Sequence, residues 1–383
     1  MNNTKYMLIA VSLLLLSACG GGGGGDTQSA GTVIKGVASK GIITNGTVSI
    51  FALNADGSKG AKLGSGSTDG AGAYSISAGS YTGPVLVEAY GSYTDEATGL
   101  PMTVSASAPL RAVLANASGA VSLSVTPLTD LAVRQAGTLT AQNITTANAL
   151  ISDLFKVDIT TTPAAPTAGA FQSTTTTQPQ KDYALLLAAV SQQMQTGGAD
   201  LAATLTTLNN GISPAGMTPE TASKIRTAVS DFIANPTNKT GVTTVDGTPL
   251  QSVGAITMKL IIVLQGSAAA SVKGIQATIK LPAGVTLRAE LAGKVLSGVI
   301  TPAANTPSEI IEGKYFAVSI DSTSTLNLGY GTSGNLTAGD ILILNADLLP
   351  GVTVPAAATF TISSSKLVYA DGNSVDGVSL SIR

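Results

Sequence analysis

The sequence predicts a multidomain protein in which two β-sandwiches flank a small α-helical region. Three observations lead to this prediction. Apolar and polar residues alternate in short runs at both ends of the chain, with glycine-containing turns between the runs, as in antiparallel strands. The middle of the chain repeats apolar residues every three or four positions, which is the period of amphipathic helices. The length of 383 residues is more than twice the ~150 residues of a common domain.

Residues 1–18 have the layout of a secretory signal peptide. Lys5 supplies a positive charge, residues 7–16 form an apolar run, and Ser17 and Ala18 are small. The run covers about ten residues, whereas a membrane-spanning helix needs about 20. We therefore expect this segment to be removed during export and not to remain in the membrane as a span.

The four residues Leu-Ser-Ala-Cys that end at Cys19 resemble the lipobox of bacterial lipoproteins. The resemblance implies cleavage between Ala18 and Cys19 and attachment of lipid to the Cys19 thiol. By the same resemblance to lipoproteins, Gly20 in the position after the cysteine implies sorting to the outer membrane, with the body on the periplasmic or the cell-surface face. An ordinary signal peptide with an incidental cysteine is the alternative. The glycine-rich residues 19–31 predict a flexible tether that spans about 20 Å.

Residues 32–125 predict the first β-sandwich. Strand-like runs recur here about every 8–12 residues, which is the spacing typical of small sandwiches. The pairs Asp56-Gly57 and Asp69-Gly70 are strong signals for the turns of hairpins.

Three segments of this region resemble the carboxypeptidase regulatory-like, or prealbumin-like, module. They are KGV at 35–37, TVSI at 47–50 and TDGAGAY at 68–74. The resemblance implies a stalk or adapter that carries no chemistry. In such a module the Asp-Gly pair makes a turn, and the tyrosine, here Tyr74, caps the sandwich.

Residues 126–236 predict five short helices that could pack as a small bundle. Thr126 and Pro127 suit the N-cap and first position of the first helix, and Thr218 and Pro219 suit the same positions of the last helix. Apolar stripes on such helices are usually plain core, so this region suggests no chemistry.

Residues 237–251 are rich in threonine and glycine and predict a linker that makes few contacts, and residues 252–383 predict the second sandwich. This last region resembles sandwiches of the cohesin-like and carbohydrate-binding-module superfamily. The matching segments are KGIQATIKLPAGVTL, GDILILNADL, ATFTI and DGNSVDGVSLSI. The resemblance implies recognition of a protein or a polysaccharide, although the chain has no tryptophan with which to stack on sugars.

Composition excludes several classes of function. The chain has no histidine, which excludes Ser-His-Asp and Cys-His mechanisms and histidine-ligated metals. The single cysteine is assigned to lipid, so thiolate metal clusters are excluded as well. A net charge of −2 with 11% charged residues offers no basic patch for nucleic acid. Two chemistries remain open, a carboxylate pair and a Ser–Lys pair.

The closest acidic doublet in the sequence is Asp95-Glu96. Adjacent residues of a strand point to opposite faces, so the doublet is a poor acid–base couple. Carboxylates in a segment of this composition are usually exposed, and we predict that the doublet lies in a solvated loop.

Asp371, Asn373 and Asp376 in the segment YADGNSVDG could begin a calcium site. Calcium takes about six to eight oxygen ligands, and the spacing here lacks the closing glutamate of an EF-hand loop. A hairpin loop without metal is the alternative. No other cofactor is expected.

We expect a lipid-anchored, non-catalytic envelope protein for binding or adhesion, whose second sandwich recognises a protein or a glycan. The predicted contact residues are Tyr315, on a strand, and Tyr330, in a glycine-rich loop. One alternative is an envelope scaffold or assembly lipoprotein that pairs through its sheet edges. A second is a glycosidase that uses Asp and Glu. Exposed aromatic side chains would favour the binding function. A bare polar strand edge would favour the scaffold, and two carboxyls in one cleft would favour the glycosidase.

Overall fold

Two β-sandwiches flank a helical region in the computed structural model, which confirms the predicted fold class. The structure describes residues 31–165, 175–290, 292–303, 306, 324–332, 334 and 336–383, together with the backbone of 316–320. The predicted leader and tether, with Ala18 and Cys19, lie outside the described residues.

The first sandwich is built from two sheets. Its strands are β1 Val33–Val37, β2 Thr47–Leu53, β3 Lys59–Ser67, β4 Ala73–Ser77, β5 Gly83–Thr94, β6 Pro101–Val104, β7 Leu110–Ala117 and β8 Ala120–Ser122. One sheet has the order β3-β2-β5-β6, and β7 also pairs with β5. The other has the order β4-β1-β8, in which β8 runs parallel to β1.

In the turn before β4, the structure shows what the residues that resemble the regulatory-like module do in this fold. One carboxylate oxygen of Asp69 accepts hydrogen bonds from two backbone N–H groups further along the turn, at 2.8 and 2.9 Å. The left-handed position is Gly72, with φ of 75°, and not Gly70 as the Asp-Gly pair suggested. The buried Tyr74 hydroxyl donates to the carbonyl of Leu123, which ties β4 to the chain directly after β8 in the same sheet. These residues therefore have structural roles.

Five α-helices follow among the described residues, as the sequence predicts. They are α1 Pro127–Ala136, α2 Ala141–Phe155, α3 Gln178–Gly197, α4 Leu201–Asn210 and α5 Pro219–Ile233. Thr126 is the N-cap of α1, as expected, and it forms a capping box with Thr129, while Thr218 caps α5. Strands β9 Ile212–Ser213 and β10 Gly216–Met217 form a short hairpin between α4 and α5. In the part of the chain that the structure describes, no helix is long and apolar enough to cross a membrane.

The first sandwich and the helices share one hydrophobic core. Ile50 and Val87 of the sandwich belong to the same buried cluster as Leu128, Leu186 and Phe232 of the helices. Helices α1 and α2 both contact β7. The helical region is thus a layer packed on the sandwich.

The segment predicted as a linker is packed against this core. Leu250 is buried in the core, and Val242 and Val245 are half-buried against it. The expectation of few contacts for residues 237–251 is therefore wrong. Its apolar side chains are few, but the chain turns repeatedly and brings them to the helices.

The second sandwich has its own core. Its strands are β11 Ile256–Gln265, β12 Gly274–Lys280, β13 Val285–Thr286, β14 Ile300–Pro302, β15 Phe316–Ile320, β16 Thr325–Gly331, β17 Gly339–Leu348, β18 Thr361–Val368 and β19 Ser379–Ile382. One sheet has the order β13-β17-β11-β19, with β14 also on β17, and the other has the order β15-β16-β12-β18. The alternation predicted for β12 is confirmed, because Ile275, Ala277 and Ile279 are buried.

A buried charge cluster joins the helical region to the second sandwich. The Nζ of Lys156 lies 3.0 Å from Asp153 Oδ1 and 3.2 Å from Asp347 Oδ1. The backbone N–H of Thr257 donates to Asp153 Oδ2 at 2.8 Å, and Arg288 Nε lies 3.3 Å from Asp347 Oδ2. The side chains of Lys156 and Asp347 are almost fully buried. Residues 31–383 accordingly form one compact unit.

We expect Tyr74→Phe to lower the free energy of unfolding by about 1–2 kcal/mol, because the Leu123 carbonyl loses a buried side-chain donor. Urea unfolding followed by circular dichroism would measure the change. The control is Tyr369→Phe at an exposed tyrosine, which should change stability by less than about 0.5 kcal/mol. Equal effects of the two substitutions would contradict the role of Tyr74.

Candidate functional site

The structure corrects the position of Tyr330. This residue lies on β16 and is only 5% exposed, within the core of the second sandwich. The glycine-rich segment continues the strand, and alternation along it turns Leu326, Leu328 and Tyr330 inward. The prediction of an exposed loop tyrosine is therefore wrong. Tyr315, the other predicted contact residue, lies outside the described residues.

The loop proposed for calcium has the contacts of a hairpin. The backbone N–H of Asn373 donates to Asp371 Oδ1 at 3.0 Å, and the Asn373 amide donates to Asp371 Oδ2 at 2.9 Å. These hydrogen bonds hold the pKa of Asp371 below its ordinary value. Asp376 is exposed in the same loop. Among the described residues, no group of three or more Asp, Glu, His or Cys side chains could hold a metal. The calcium site therefore stays a prediction.

An open strand edge on β18 is a candidate interaction surface of the second sandwich. Strand β18 ends the sheet order β15-β16-β12-β18, so β12 pairs with one side of it only. On the other side, Val375 N–H donates to the Leu367 carbonyl at 2.9 Å, and Val368 bridges to Ser374. Residues 361–366, which we name the β18 edge, have no second strand beside them among the described residues.

The β18 edge is polar and exposed. Thr361 and residues 363–366, which are three serines and a lysine, are all exposed, and Ile362 is half-buried. Alternation from Leu367 turns the N–H and C=O groups of Ser365 away from β12. A row of outward backbone groups on a strand is a template for a further strand. This surface is the bare polar edge that would favour scaffolding.

The long edge strand of the first sandwich offers a poorer template. Strand β3 pairs with β2 only, but that pairing is interrupted by register irregularities next to Phe51. It also carries Lys59 and Lys62. Bulges and lysines are devices by which edge strands avoid pairing. Strand β18 has fewer of these devices, namely a single irregularity opposite Thr278 and Ile279 and one lysine, Lys366.

Two clefts could accept small ligands. One, of about 570 Å³, lies between α2, β7 and Arg288, and the other, of about 530 Å³, lies between α1, α4 and the first sandwich. The carboxylates that line them are bonded to cations or cap turns and helices. They are Glu88, Asp130, Asp153, Asp158 and Asp200. Neither cleft therefore presents an unengaged carboxylate pair of the kind that glycoside hydrolysis uses.

A buried amine site corrects the prediction for the acidic doublet. Asp95 and Glu96 are 4% and 6% exposed and not in a solvated loop. The Nζ of Lys40, whose side chain is 0% exposed, lies 2.8 Å from Glu96 Oε2 and 3.4 Å from Asp95 Oδ2. Strand β5 ends at Thr94, so the doublet lies in a turn where both side chains can reach the same amine. Strand alternation does not apply there.

The buried amine site is closed by hydrogen bonds. Ser191 on α3 contacts Lys40 Nζ and donates to Glu96 Oε2 at 2.6 Å, and Gly41 N–H donates to Glu96 Oε1 at 2.6 Å. Asp95 Oδ1 accepts from the N–H groups of residues 97 and 98, both at 3.1 Å, and from the Thr98 hydroxyl at 3.0 Å. Burial would raise the pKa of Asp95, but Lys40 and the hydrogen bonds outweigh it and hold that pKa below its ordinary value.

Sequence reasoning missed Lys40 and Ser191. They are 55 and 95 or more residues from the doublet, and each lies in an unremarkable segment. Composition alone leaves a Ser–Lys mechanism possible, but it does not indicate which serine and which lysine would form the pair. No local signal in the sequence connects these residues.

Asp182 on α3 is a second buried carboxylate. It is 2% exposed, and the Gln178 amide donates to its Oδ1 at 2.7 Å. Burial raises the pKa of Asp182 to about 6, against a smaller lowering by Gln178. In contrast with Asp95, this carboxylate has no lysine or arginine within salt-bridge distance among the described residues.

Comparison of the chain with family models, with curated proteins and with solved structures finds no match. The resemblances to the regulatory-like module and to cohesin-like sandwiches therefore stay predictions.

We expect Asp182→Asn to stabilise the protein by up to about 3 kcal/mol at pH 7.5, because the wild-type carboxylate is ionised in its buried position. A native pKa above the unfolded value of 3.8 favours folding at low pH, and this contribution is lost as pH rises through about 6. The gain should therefore shrink to below about 1 kcal/mol near pH 4. Urea unfolding midpoints at both pH values would measure it. The exposed Asp231→Asn is the control, and a gain of equal size at both pH values would contradict the assignment.

Proposed function

We propose that this protein is a lipid-anchored, non-catalytic binding and assembly protein of the bacterial outer membrane. Its second sandwich recruits an extended segment of a partner protein by strand addition at the β18 edge. The observation that carries the proposal is the strand itself, which is exposed, polar and paired on one side over residues 361–366. Strand addition supplies affinity through backbone hydrogen bonds and specificity through alternate side chains.

The proposal favours a protein partner over a glycan. Glycan recognition commonly depends on exposed flat aromatic rings, and the chain has no tryptophan. Tyr330 and Phe360 lie in the core, and Tyr369 is 40% exposed. Among the alternatives that the sequence suggests, the envelope scaffold is the one that this burial of aromatic side chains favours most.

The anchoring part of the proposal rests on the sequence. The residues that end at Cys19 match a lipobox, and the following glycines provide a flexible tether. A tethered body gains from a contact surface that lies far along the chain from the lipid, and β18 is in the last region of the chain. The body would lie on the periplasmic or the cell-surface face.

We expect Ser365→Pro to reduce partner binding by about tenfold or more, because proline removes the outward N–H of the β18 edge. The measurement uses a photo-crosslinking amino acid in place of the exposed Ser364 in the native bacterium. A discrete crosslinked product should form with Ser365→Ala, which keeps the N–H, and disappear with Ser365→Pro. A product that is insensitive to proline would contradict strand addition.

We expect Cys19→Ala to abolish lipid attachment, because no other thiol is present. The variant should not incorporate labelled palmitate, and it should leave the outer-membrane fraction. Ser17→Ala keeps a small residue in the lipobox and is the control that should remain lipidated. Membrane association and palmitate labelling that persist in Cys19→Ala would overturn the anchor.

A further inference from the structure

We propose that Lys40 and Asp95 condense into an intramolecular amide bond inside the folded protein, with Glu96 moving the protons. This inference is independent of the proposed function, since it concerns the first sandwich and needs no partner. It assigns a covalent modification to the buried amine site described above.

The fold holds the two reacting groups together, almost fully shielded from bulk solvent. The Lys40 side chain is 0% exposed, and its Nζ lies 3.4 Å from Asp95 Oδ2. The ring of Tyr93 covers one side of the amine, with its centroid 5.3 Å from Nζ. Fixing two reactants at contact distance replaces an encounter in solution and supplies a large effective concentration. In water the hydrated ions would not condense, but burial removes the hydration that stabilises them.

The surroundings of Asp95 suit an acyl acceptor. Its Oδ1 accepts three hydrogen bonds, from the N–H groups of residues 97 and 98 and from the Thr98 hydroxyl, at 3.0–3.1 Å. When an amine attacks the carboxyl carbon, negative charge develops on an oxygen of that carboxyl group. Donors already aimed at that oxygen stabilise the developing charge without reorganisation. The other oxygen, Oδ2, faces Lys40 and is the leaving oxygen.

Glu96 has the position of a proton carrier. Its Oε2 lies 2.8 Å from Lys40 Nζ, within the range for direct proton transfer. The N–H of Gly41 and the hydroxyl of Ser191 hold the Glu96 carboxylate in that position. Because Glu96 Oε2 already accepts from both the amine and Ser191, it is better placed to receive a proton than to be attacked.

The step balances without any further reactant. The Lys40 ammonium gives a proton to Glu96, and the resulting amine lone pair attacks the carboxyl carbon of Asp95 to form a C–N bond. Glu96 returns that proton to Oδ2 and relays a second one from the nitrogen. The C–Oδ2 bond then breaks, and Oδ2 leaves as water. Glu96 ends as it began, no atom is oxidised or reduced, and the ion pair becomes a neutral amide.

The consequence is a covalent ring in the first sandwich. The bond would join the turn after β1 to the end of β5, across 55 residues of chain. Cross-links of long segments stabilise mainly by limiting the unfolded state. The link would be insensitive to reducing agents, in a chain whose only cysteine is at position 19.

Peptide mapping of the purified full chain tests the proposal. Trypsin cannot cut after an acylated lysine, so the bond would leave residues 36–59 joined to residues 63–111, lighter by one water than the two peptides together. Fragmentation of this product should place the link between Lys40 and Asp95. A free peptide of residues 36–40, as an ordinary ion pair would release, overturns the proposal. A link from Lys40 to Glu96 overturns it as well.

Three variants separate the roles. Lys40→Arg keeps the charge but should give unlinked peptides. Glu96→Gln should lose at least nine-tenths of the link, and a full yield of link in that variant overturns the proton-carrier role. Asp95→Asn should give the same linked product, now with release of ammonia. The wild-type peptide map decides the existence of the bond even where a variant fails to fold.

Discussion

The buried amine of Lys40 is the constraint on which the first core depends. A charge removed from water is tolerated only when partners surround it closely. Here they come from two regions that are distant in sequence: the doublet Asp95-Glu96 at the end of β5, and Ser191 on α3. The sandwich must end β5 where it does, and the helix must dock where it does, for this site to close. The buried amine site thus favours one position of α3 on the sandwich.

The junction with the second sandwich repeats this principle. Lys156 ends α2 in the left-handed conformation, with φ of 56°, and its amine reaches Asp153 and Asp347. Thr257, near the start of β11, donates its backbone N–H to Asp153 Oδ2 and so joins the second sandwich to the same cluster. Hydrophobic burial is not directional, whereas these charge clusters are, so they select one arrangement of regions that apolar contacts alone would leave free to slide.

Local sequence periodicity is sufficient to predict the strands and helices, but it is not sufficient to predict the functional sites. Alternation predicted β12, and the capping residue Thr126 predicted the start of α1, because both signals act within a few residues. Tyr330 was misplaced because its flanking glycines suggested a loop, although neighbouring strands hold them in a ladder on both sides. The buried amine site was missed because its members meet only through the tertiary fold, and a doublet beside a turn has no pattern that distinguishes burial from exposure.

The irregularity at Ser363, opposite Thr278 and Ile279, limits the length of strand that the β18 edge can offer to a partner. A bulge bends a strand and changes its twist, so regular pairing is confined to the few residues between Ser363 and the bridge at Val368. A contact this short would bind weakly and exchange quickly if it acted alone. If the proposed lipid anchor gathers many copies on one surface, these copies would engage a repetitive partner together, and their combined avidity would exceed the affinity of any single edge by orders of magnitude. Attachment would depend on surface density, so the cell could adjust it through the number of copies without any change in the strand.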